Sequence, residues 1–351
     1  MNIRLDRVAK SRISEVDFSN IPFGRQFSDH MLVMDYANGQ WGAPTIMPYK
    51  KLEMNPSCLA LHYGQTIFEG LKAYRNKQGD VSLFRAADNF ARFNISAERM
   101  CMPTIPIDTL MECLKELVNV DRDWVPSNEN ASLYIRPFMF ATDEFIGVRP
   151  SDTYKFIIFT GPVGPYYTTP LKVMVEHNYT RAARGGTGAA KGGGNYGGAL
   201  LPTKLAQQKG YHQLIWTDAS EHRYVEESGT MNVMFQIGNS LLTPPAGETI
   251  LKGITRDSVL TLAREMGIDV QERPVSVDEV IDAHQAGTLK DAFGVGTAAT
   301  IAPIELIGLD GKDYLLPAVE ERKLSKALLT KLNAIRYGEE ADTHGWVVKV
   351  C

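Results

Sequence analysis

Lys191 stands inside the run R-G-G-T-G-A-A-K-G-G-G-N-Y-G-G-A-L (184–200), in which eight of seventeen residues are glycine. Several kinds of chemistry use such a stretch. A phosphate-cradling P-loop needs Gly directly before its lysine and Ser or Thr directly after it. Ala190 and Gly192 stand there instead, so that pattern fails. The dinucleotide fingerprint G-x-G-x-x-G is met by Gly192, Gly194 and Gly197, with Asp218 closing the next strand. That fingerprint should open directly from the preceding strand, which here ends near His177. A third use is covalent. A lysine amine made neutral by burial or by neighbouring cations condenses with an aldehyde to a Schiff base. A lysine serving pyridoxal phosphate in this way needs a carboxylate for the pyridine nitrogen and a site for the phosphate. A flat ring beside the chain also favours glycine, which has no Cβ to collide with it. A plain surface loop is the remaining reading.

The elements that must hold this stretch follow from pattern. The chain has 351 residues, 44% hydrophobic and 22% charged, values of a globular protein with sizeable cores and room for two domains. A net charge of -4 offers no electrostatic case for nucleic acid or anionic membrane. No apolar run approaches the length of a membrane span, and the N-terminus has no apolar core of a signal peptide. Four cysteines (58, 101, 113, 351) without a C-x-x-C pair read as thiols of a reducing, cytoplasmic compartment. The seven histidines form no H-E-x-x-H and no cluster with cysteine, so no metal site is expected. Gly161 to Pro170 (GPVGPYYTTP) reads as an interdomain connection, because proline cannot donate to a ladder and restricts its neighbours. The expected division is a smaller domain over 1–164, a connection over 165–174 and a larger domain over 175–351. In the first half, 132–140 and 154–161 read as strands, with helices over 86–99 and 108–118, the latter capped by Asp108. In the second half, strands are expected at 171–177 and 212–218, followed by another apolar run at 232–237. Helices are expected at about 198–209, at 255–266 before Gly267, from a Ser276/Glu279 capping box to about His284, and at 318–337. Strands mixed with helices in both halves give an α/β (α+β) fold.

Four further segments, K-G-G-G-N-Y-G (191–197), V-E-E-S-G-T-M-N (225–232), L-K-G-I-T-R (251–256) and F-G-V-G-T-A-A (293–299), together resemble the signature of fold-type IV pyridoxal-phosphate enzymes. F-G-R-Q-F-S-D-H-M (23–31), L-H-Y-G-Q-T-I-F-E-G-L-K-A-Y (61–74) and S-L-Y-I-R-P (132–137) extend the likeness, which runs from about residue 20 to about 310. It is nearest to the branched-chain amino-acid aminotransferases of the longer class. The resemblance implies two domains, the larger C-terminal one with a mixed, barrel-like sheet and the cofactor lysine. It implies reversible amino transfer between leucine, isoleucine or valine and 2-oxoglutarate, giving branched 2-oxo acids and glutamate.

Residue by residue, Lys191 matches the Schiff-base lysine that carries the Cα proton. Glu227 matches the carboxylate that keeps the pyridine nitrogen protonated, and its neighbour Glu226 reads as a solvated charge. Tyr196 matches the phenol at the cofactor's ring oxygen. Arg92 matches the phosphate arginine, and Arg85 reads as structural. Ile254 and Thr255 match N–H donors to the phosphate at a helix start. Thr297 matches a residue reaching the phosphate or the substrate carboxylate, and the N–H of Ala298 a carboxylate donor. Phe23, Tyr63, Phe68, Tyr134 and Tyr166 match the aromatic lining of the substrate pocket, bordered by Thr230. Arg136 matches the receiver of glutamate's distal carboxylate. Val148 matches a loop residue reaching a neighbouring subunit's pocket, which implies a homodimer with shared active sites. Some relatives carry C-x-x-C after the G-T-A turn; Ala299 and Ala302 stand there, so a thiol switch is not expected. The alternatives are a D-amino-acid transaminase or an aminodeoxychorismate lyase on the same fold, and a nicotinamide-dependent dehydrogenase built on Gly192, Gly194, Gly197 and Asp218.

Overall fold

Alternation of β-branched and aromatic residues with small or polar ones makes most of the apolar runs strands rather than helices. The computed structural model describes residues 2–128 and 130–350. The chain forms two units. One takes the chain up to Tyr166, then Ala190–Gly194, then Ala334 onward, and the other takes Tyr167–Ala189 and Asn195–Asn333.

The first unit is built on a ten-stranded sheet. Its order is Arg4–Leu5, Thr45–Pro48, His30–Ala37, Tyr154–Val163, Ser132–Ala141, Leu71–Arg75, Val81–Phe84 and Val347–Lys349. Two short strands stand off this path, Gln40–Trp41 on His30–Ala37 and Thr66–Phe68 on Ser132–Ala141. Arg4–Leu5 pairs in parallel and the central pairs are antiparallel. Ser132–Ala141 and Tyr154–Val163 hold one register along their whole length. Leu133 and Ile135 therefore enter the core with Phe90, Phe93, Leu114 and Leu117 of the covering helices. By the two-residue period, Tyr134 and Arg136 stand on the other face. Pro162 sits inside Tyr154–Val163, where a proline is unusual. It is tolerated because the partner strand on one side stops pairing at Met31↔Phe159, so no donor is asked of it there.

The second unit carries a nine-stranded sheet in the order Val225–Ser228, Gln213–Thr217, Leu171–Val175, Thr300–Leu309, Leu289–Gly296, Asn232–Ile237, Ser240–Thr243 and Asp269–Glu272. Lys312–Leu315 pairs onto Thr300–Leu309. Parallel and antiparallel neighbours are mixed. Val173, Ile215, Val233, Phe235 and Ile304 form the core with Val280 and Ile281 of helix Val277–Gln285. The mixed strand and helix content of both units is that of the α/β fold read from the sequence.

Helix Ala86–Arg99 has the expected bounds, and Ser276 caps Val277–Gln285 by accepting from the Glu279 N–H at 3.0 Å. Two expectations are corrected. Asp108 is no cap: the helix runs Ile107–Val120 with Pro106 before it, which places Asp108 inside the first turn. The expected helix over 318–337 is split into a 3-10 turn, Val319–Glu321, and a helix, Leu324–Arg336. Arg322 breaks it by adopting an extended backbone. Its guanidinium is buried on the Pro317 and Ile304 carbonyls and on Asp291 at 3.3 Å. Cys58 and Cys113 are buried thiols and Cys101 an exposed one; Cys351 lies outside the described residues. Among the described residues no helix is long and apolar enough to cross a membrane.

Candidate functional site

In the first unit the strand Thr66–Phe68 and the helix Ala86–Arg99 fix the lysine. The Lys191 N–H donates to Ser96 Oγ at 2.9 Å, and the Phe68 N–H donates to the Lys191 carbonyl at 3.0 Å. Gly192 bridges Ile67 in antiparallel fashion. Lys191 is thus a strand-edge residue whose backbone is held from both sides. Its Nζ lies 4.9 Å from the centre of the Phe68 ring. The Arg136 guanidinium lies 4.8 Å from the same ring, so one aromatic ring bears two cations. Arg136 Nη2 donates to the Tyr134 hydroxyl at 3.0 Å, while its Nε is buried with no hydrogen-bond partner. Phe23 packs edge-on against Tyr134 and Tyr166, with centroids 5.4 and 4.6 Å apart. Burial, with Tyr134 beside it, pushes the Tyr166 hydroxyl above its ordinary pKa, although Arg136 opposes this. Phe23, Phe68, Tyr134, Arg136, Tyr166 and Lys191 are therefore one connected set.

Next to Phe68 is a buried carboxylate, Glu69. Arg92 Nε and Nη2 donate to it at 2.7 and 2.9 Å, Asn89 Nδ2 at 3.0 Å and the Gly70 N–H at 3.1 Å. Burial acts to raise its pKa. The charge and hydrogen bonds of Arg92, then the charge of Lys191 and the Asn89 bond, outweigh burial and hold it below the usual carboxylate range. Arg92 is accordingly a buried arginine with its plane set by Glu69. Arg85 pairs with Asp88 at 2.6 Å at the helix start, a local, structural contact. Tyr63 and Val148 lie outside the connected set: Tyr63 is 44% exposed beside His62, and Val148 is 90% exposed in a loop with exposed Phe145 and Ile146.

The second unit holds the other expected residues. Glu227, buried in strand Val225–Ser228, accepts from the Leu251 N–H at 2.9 Å and lies 3.0 Å from Arg181 Nε, off the hydrogen-bond line. Arg181 Nη2 donates to the Thr249 and Gly188 carbonyls at 2.8 and 3.1 Å. Gly188 must be glycine: a Cβ there would meet the Thr249 carbonyl at 2.8 Å and the Ala182 methyl at 2.5 Å. The glycines before Lys191 thus form a pinned turn, with Gly186 N–H on the Ala183 carbonyl and Thr187 bonded to Asn195. Asn232 organises the rest. Its Nδ2 donates to the Leu251 carbonyl at 3.0 Å and its backbone pairs with Val295. This draws Leu251 and the start of helix Ile254–Glu265, with Ile254 and Thr255, toward the strand end that precedes Thr297 and Ala298. Tyr196 is half-buried in the short helix Gly193–Gly198, and Thr230 is exposed in a turn.

Glu226 is not a solvated charge; it is buried, with Oε2 lacking a partner. Burial raises its pKa to about 6, against the Thr249 hydroxyl bond and the Arg181 charge, with Glu227 and Asp218 adding to the rise. A folded-state pKa above the ordinary 4.5 means that its stabilising protonated form is present below about pH 4.5 and lost as pH rises through 6. Glu226→Gln is therefore expected to stabilise the protein at pH 8 by on the order of 1 kcal/mol and to change little at pH 4.5, read as melting temperatures at the two pH values.

Sequence reading passed over Glu69, Ser96, Arg181 and Asn232. Only Glu69 carried a local signal, an acid inside the apolar T-I-F-E-G-L stretch. The dinucleotide alternative fails on geometry. The G-x-G-x-x-G match lies far beyond the end of strand Leu171–Val175. Asp218, its ribose acid, is consumed by its own turn, accepting from Ser220 Oγ and the N–H groups of Glu221, Arg223 and Tyr224.

Comparison with known proteins gives the family. Residues 66–307 match the amino-transferase class IV family. The chain is 45% identical over 339 residues to branched-chain-amino-acid aminotransferase 2 of Bacillus subtilis (strain 168), covering 95% of this chain and 93% of that one. The branched-chain amino acid aminotransferase of Escherichia coli has a similar structure, with a TM-score of 0.74 at 28% identity over 92% of this chain and 99% of the other. The PLP form of the Thermobaculum terrenum branched-chain enzyme shares the fold, with a TM-score of 0.75 at 23% identity over 93% of this chain and all of the other. The chain belongs to the class IV aminotransferases.

Proposed function

We propose that this chain is a branched-chain amino-acid aminotransferase that exchanges the amino group of L-leucine, L-isoleucine or L-valine with 2-oxoglutarate, using pyridoxal phosphate held through Lys191. The observation that carries the reading is the connected set around Phe68: an amine and an arginine with an unpartnered buried nitrogen, within a cluster of aromatic rings. Such a wall accepts a leucine-sized side chain by burial, which stabilises by about 1.5–3 kcal/mol. It also accepts glutamate, because Arg136 can turn donors to a distal carboxylate.

The donor set fits pyridoxal phosphate: a buried, charge-paired carboxylate at Glu227, an amine at Lys191, a buried arginine at Arg92, and a helix start at Ile254 and Thr255. When bound, the cofactor supplies a carbonyl carbon open to amines and a ring that draws electrons from the substrate's Cα. Freed when the substrate's amine takes its place on the cofactor, the Lys191 amine would accept the proton from Cα and carry it as an ammonium. Glu227 holds a proton on the ring nitrogen, with Tyr196 at the ring oxygen. Arg92, Ile254, Thr255 and Thr297 bind phosphate, and Ala298 donates to the substrate's own carboxylate. Phe23, Phe68, Tyr134 and Tyr166 line the side-chain pocket. The exposed Ile146 and Val148 fit a loop that reaches a second copy, making a homodimer with shared sites; the compartment is cytoplasmic. A panel of L-leucine, L-isoleucine, L-valine, D-alanine and aminodeoxychorismate tests the reading, and turnover of only the last two overturns it. Arg136→Gln is expected to lower kcat/KM for glutamate by about 100-fold and for leucine by less than about tenfold, measured in paired steady-state assays. Equal losses for both substrates would remove Arg136 from this role.

A further inference from the structure

Glu69 is buried at the meeting of three segments that carry other residues of the site. Its backbone N–H donates to the Pro137 carbonyl, beside Arg136. Gly70 follows it because a Cβ there would collide with the Tyr134 hydroxyl. Its carboxylate binds Asn89 and Arg92, one turn apart on helix Ala86–Arg99, and Ser96 on the next turn holds the Lys191 N–H.

Shape alone does not call for a carboxylate here. Glutamine has the same volume and one oxygen to offer Asn89 and Gly70. Buried ion pairs are also poor sources of stability, since desolvation offsets much of their attraction. What only a carboxylate supplies is a two-oxygen anionic fork matched to a guanidinium edge. Both Arg92 Nε and Nη2 are turned onto it, at 2.7 and 2.9 Å, which fixes the guanidinium plane. A glutamine would instead set an NH₂ group against one of those donors. We propose that Glu69 is a positioning residue that sets the aim of Arg92 toward the cofactor's phosphate. The inference rests on the reading of Arg92 as the phosphate arginine.

The phosphate itself provides the test. Dissociation constants of the apo-protein for pyridoxal 5'-phosphate and for pyridoxal, which lacks the phosphate, are measured for the wild type, Glu69→Gln, Glu69→Asp, Arg92→Ala and the Glu69→Gln/Arg92→Ala double variant. Glu69→Gln is expected to weaken pyridoxal phosphate by about tenfold or more and pyridoxal by no more than about twofold, as outer-shell ligands do at other sites. Glu69→Asp, one methylene short but still charged, should fall between and keeps the test decisive if the glutamine variant does not fold. The double variant should discriminate no worse than Arg92→Ala alone, because the two residues act as one unit. Equal weakening of both ligands in the Glu69 variants would show a merely structural carboxylate and overturn the inference. So would wild-type discrimination in the Glu69 variants when Arg92→Ala loses it. If Arg92→Ala itself keeps full discrimination, the reading of Arg92 falls and the inference with it, a pattern distinct from the other two.

Discussion

Lys191→Ala is expected to lower amino transfer by at least about 10⁴-fold while the protein keeps its fold. Two contributions go with the side chain: the covalent hold on the cofactor and the base that moves the Cα proton, the second worth about 10²–10⁴ by itself. The fold survives because the anchors of this position are backbone groups. The N–H on Ser96 Oγ, the carbonyl under the Phe68 N–H and the Gly192–Ile67 bridge all remain in an alanine variant. What is lost structurally is the contact of Nζ with the Phe68 ring, about 0.5–1 kcal/mol at a partly exposed site, and its attraction to Glu69. Single-turnover rates with L-leucine, alongside circular dichroism and melting temperature, check both halves of the expectation. Borohydride treatment of the cofactor-loaded wild type followed by peptide mapping should mark Lys191 and no other lysine. A label elsewhere, or an alanine variant that turns over normally, would end the assignment.

Lys191 was legible because its neighbours in sequence are unusual: glycines on both sides and Tyr196 five residues on. Strand Ser132–Ala141 and helix Ala86–Arg99 were legible because their patterns are local. The residues that hold the lysine were not, because they act across long separations. Ser96 lies 95 residues from Lys191, and Arg92 lies 23 from Glu69. No local pattern marks such a pair. Glu226 was misread for a related reason. Two adjacent glutamates look like a solvated face, yet strand Val225–Ser228 is buried at all four positions. Asp108 was misread because an acid just inside a helix and an acid at its cap look alike in sequence. Pro106, with its fixed φ, had already set the boundary.

Glu227→Gln is the second large effect, an expected loss of about 10²–10³ in kcat, the scale of removing one preorganised charge from a reacting group. Glutamine can still accept the Leu251 N–H through its oxygen, so the strand and the loop at 251 keep their contact. It cannot pair with Arg181, whose Nε lies 3.0 Å from Glu227 Oε2, nor hold a proton on a ring nitrogen as an anion does. The variant also leaves Arg181 with Glu226 as its neighbouring acid. Removing the Glu227 charge takes away one of the causes that raise Glu226, and the Arg181 charge continues to favour ionisation. Glu226 in Glu227→Gln should therefore ionise below its value of about 6 in the wild type, visible as a lower-pH midpoint in the pH dependence of melting temperature. That compensation repairs the charge balance around Arg181 without restoring turnover, because neighbouring strand positions send their side chains to opposite faces. Stability near the wild-type level at pH 7 combined with a kcat at least 100-fold lower would separate Glu227's catalytic part from its structural one; a kcat within tenfold of wild type would assign the ring nitrogen's partner elsewhere.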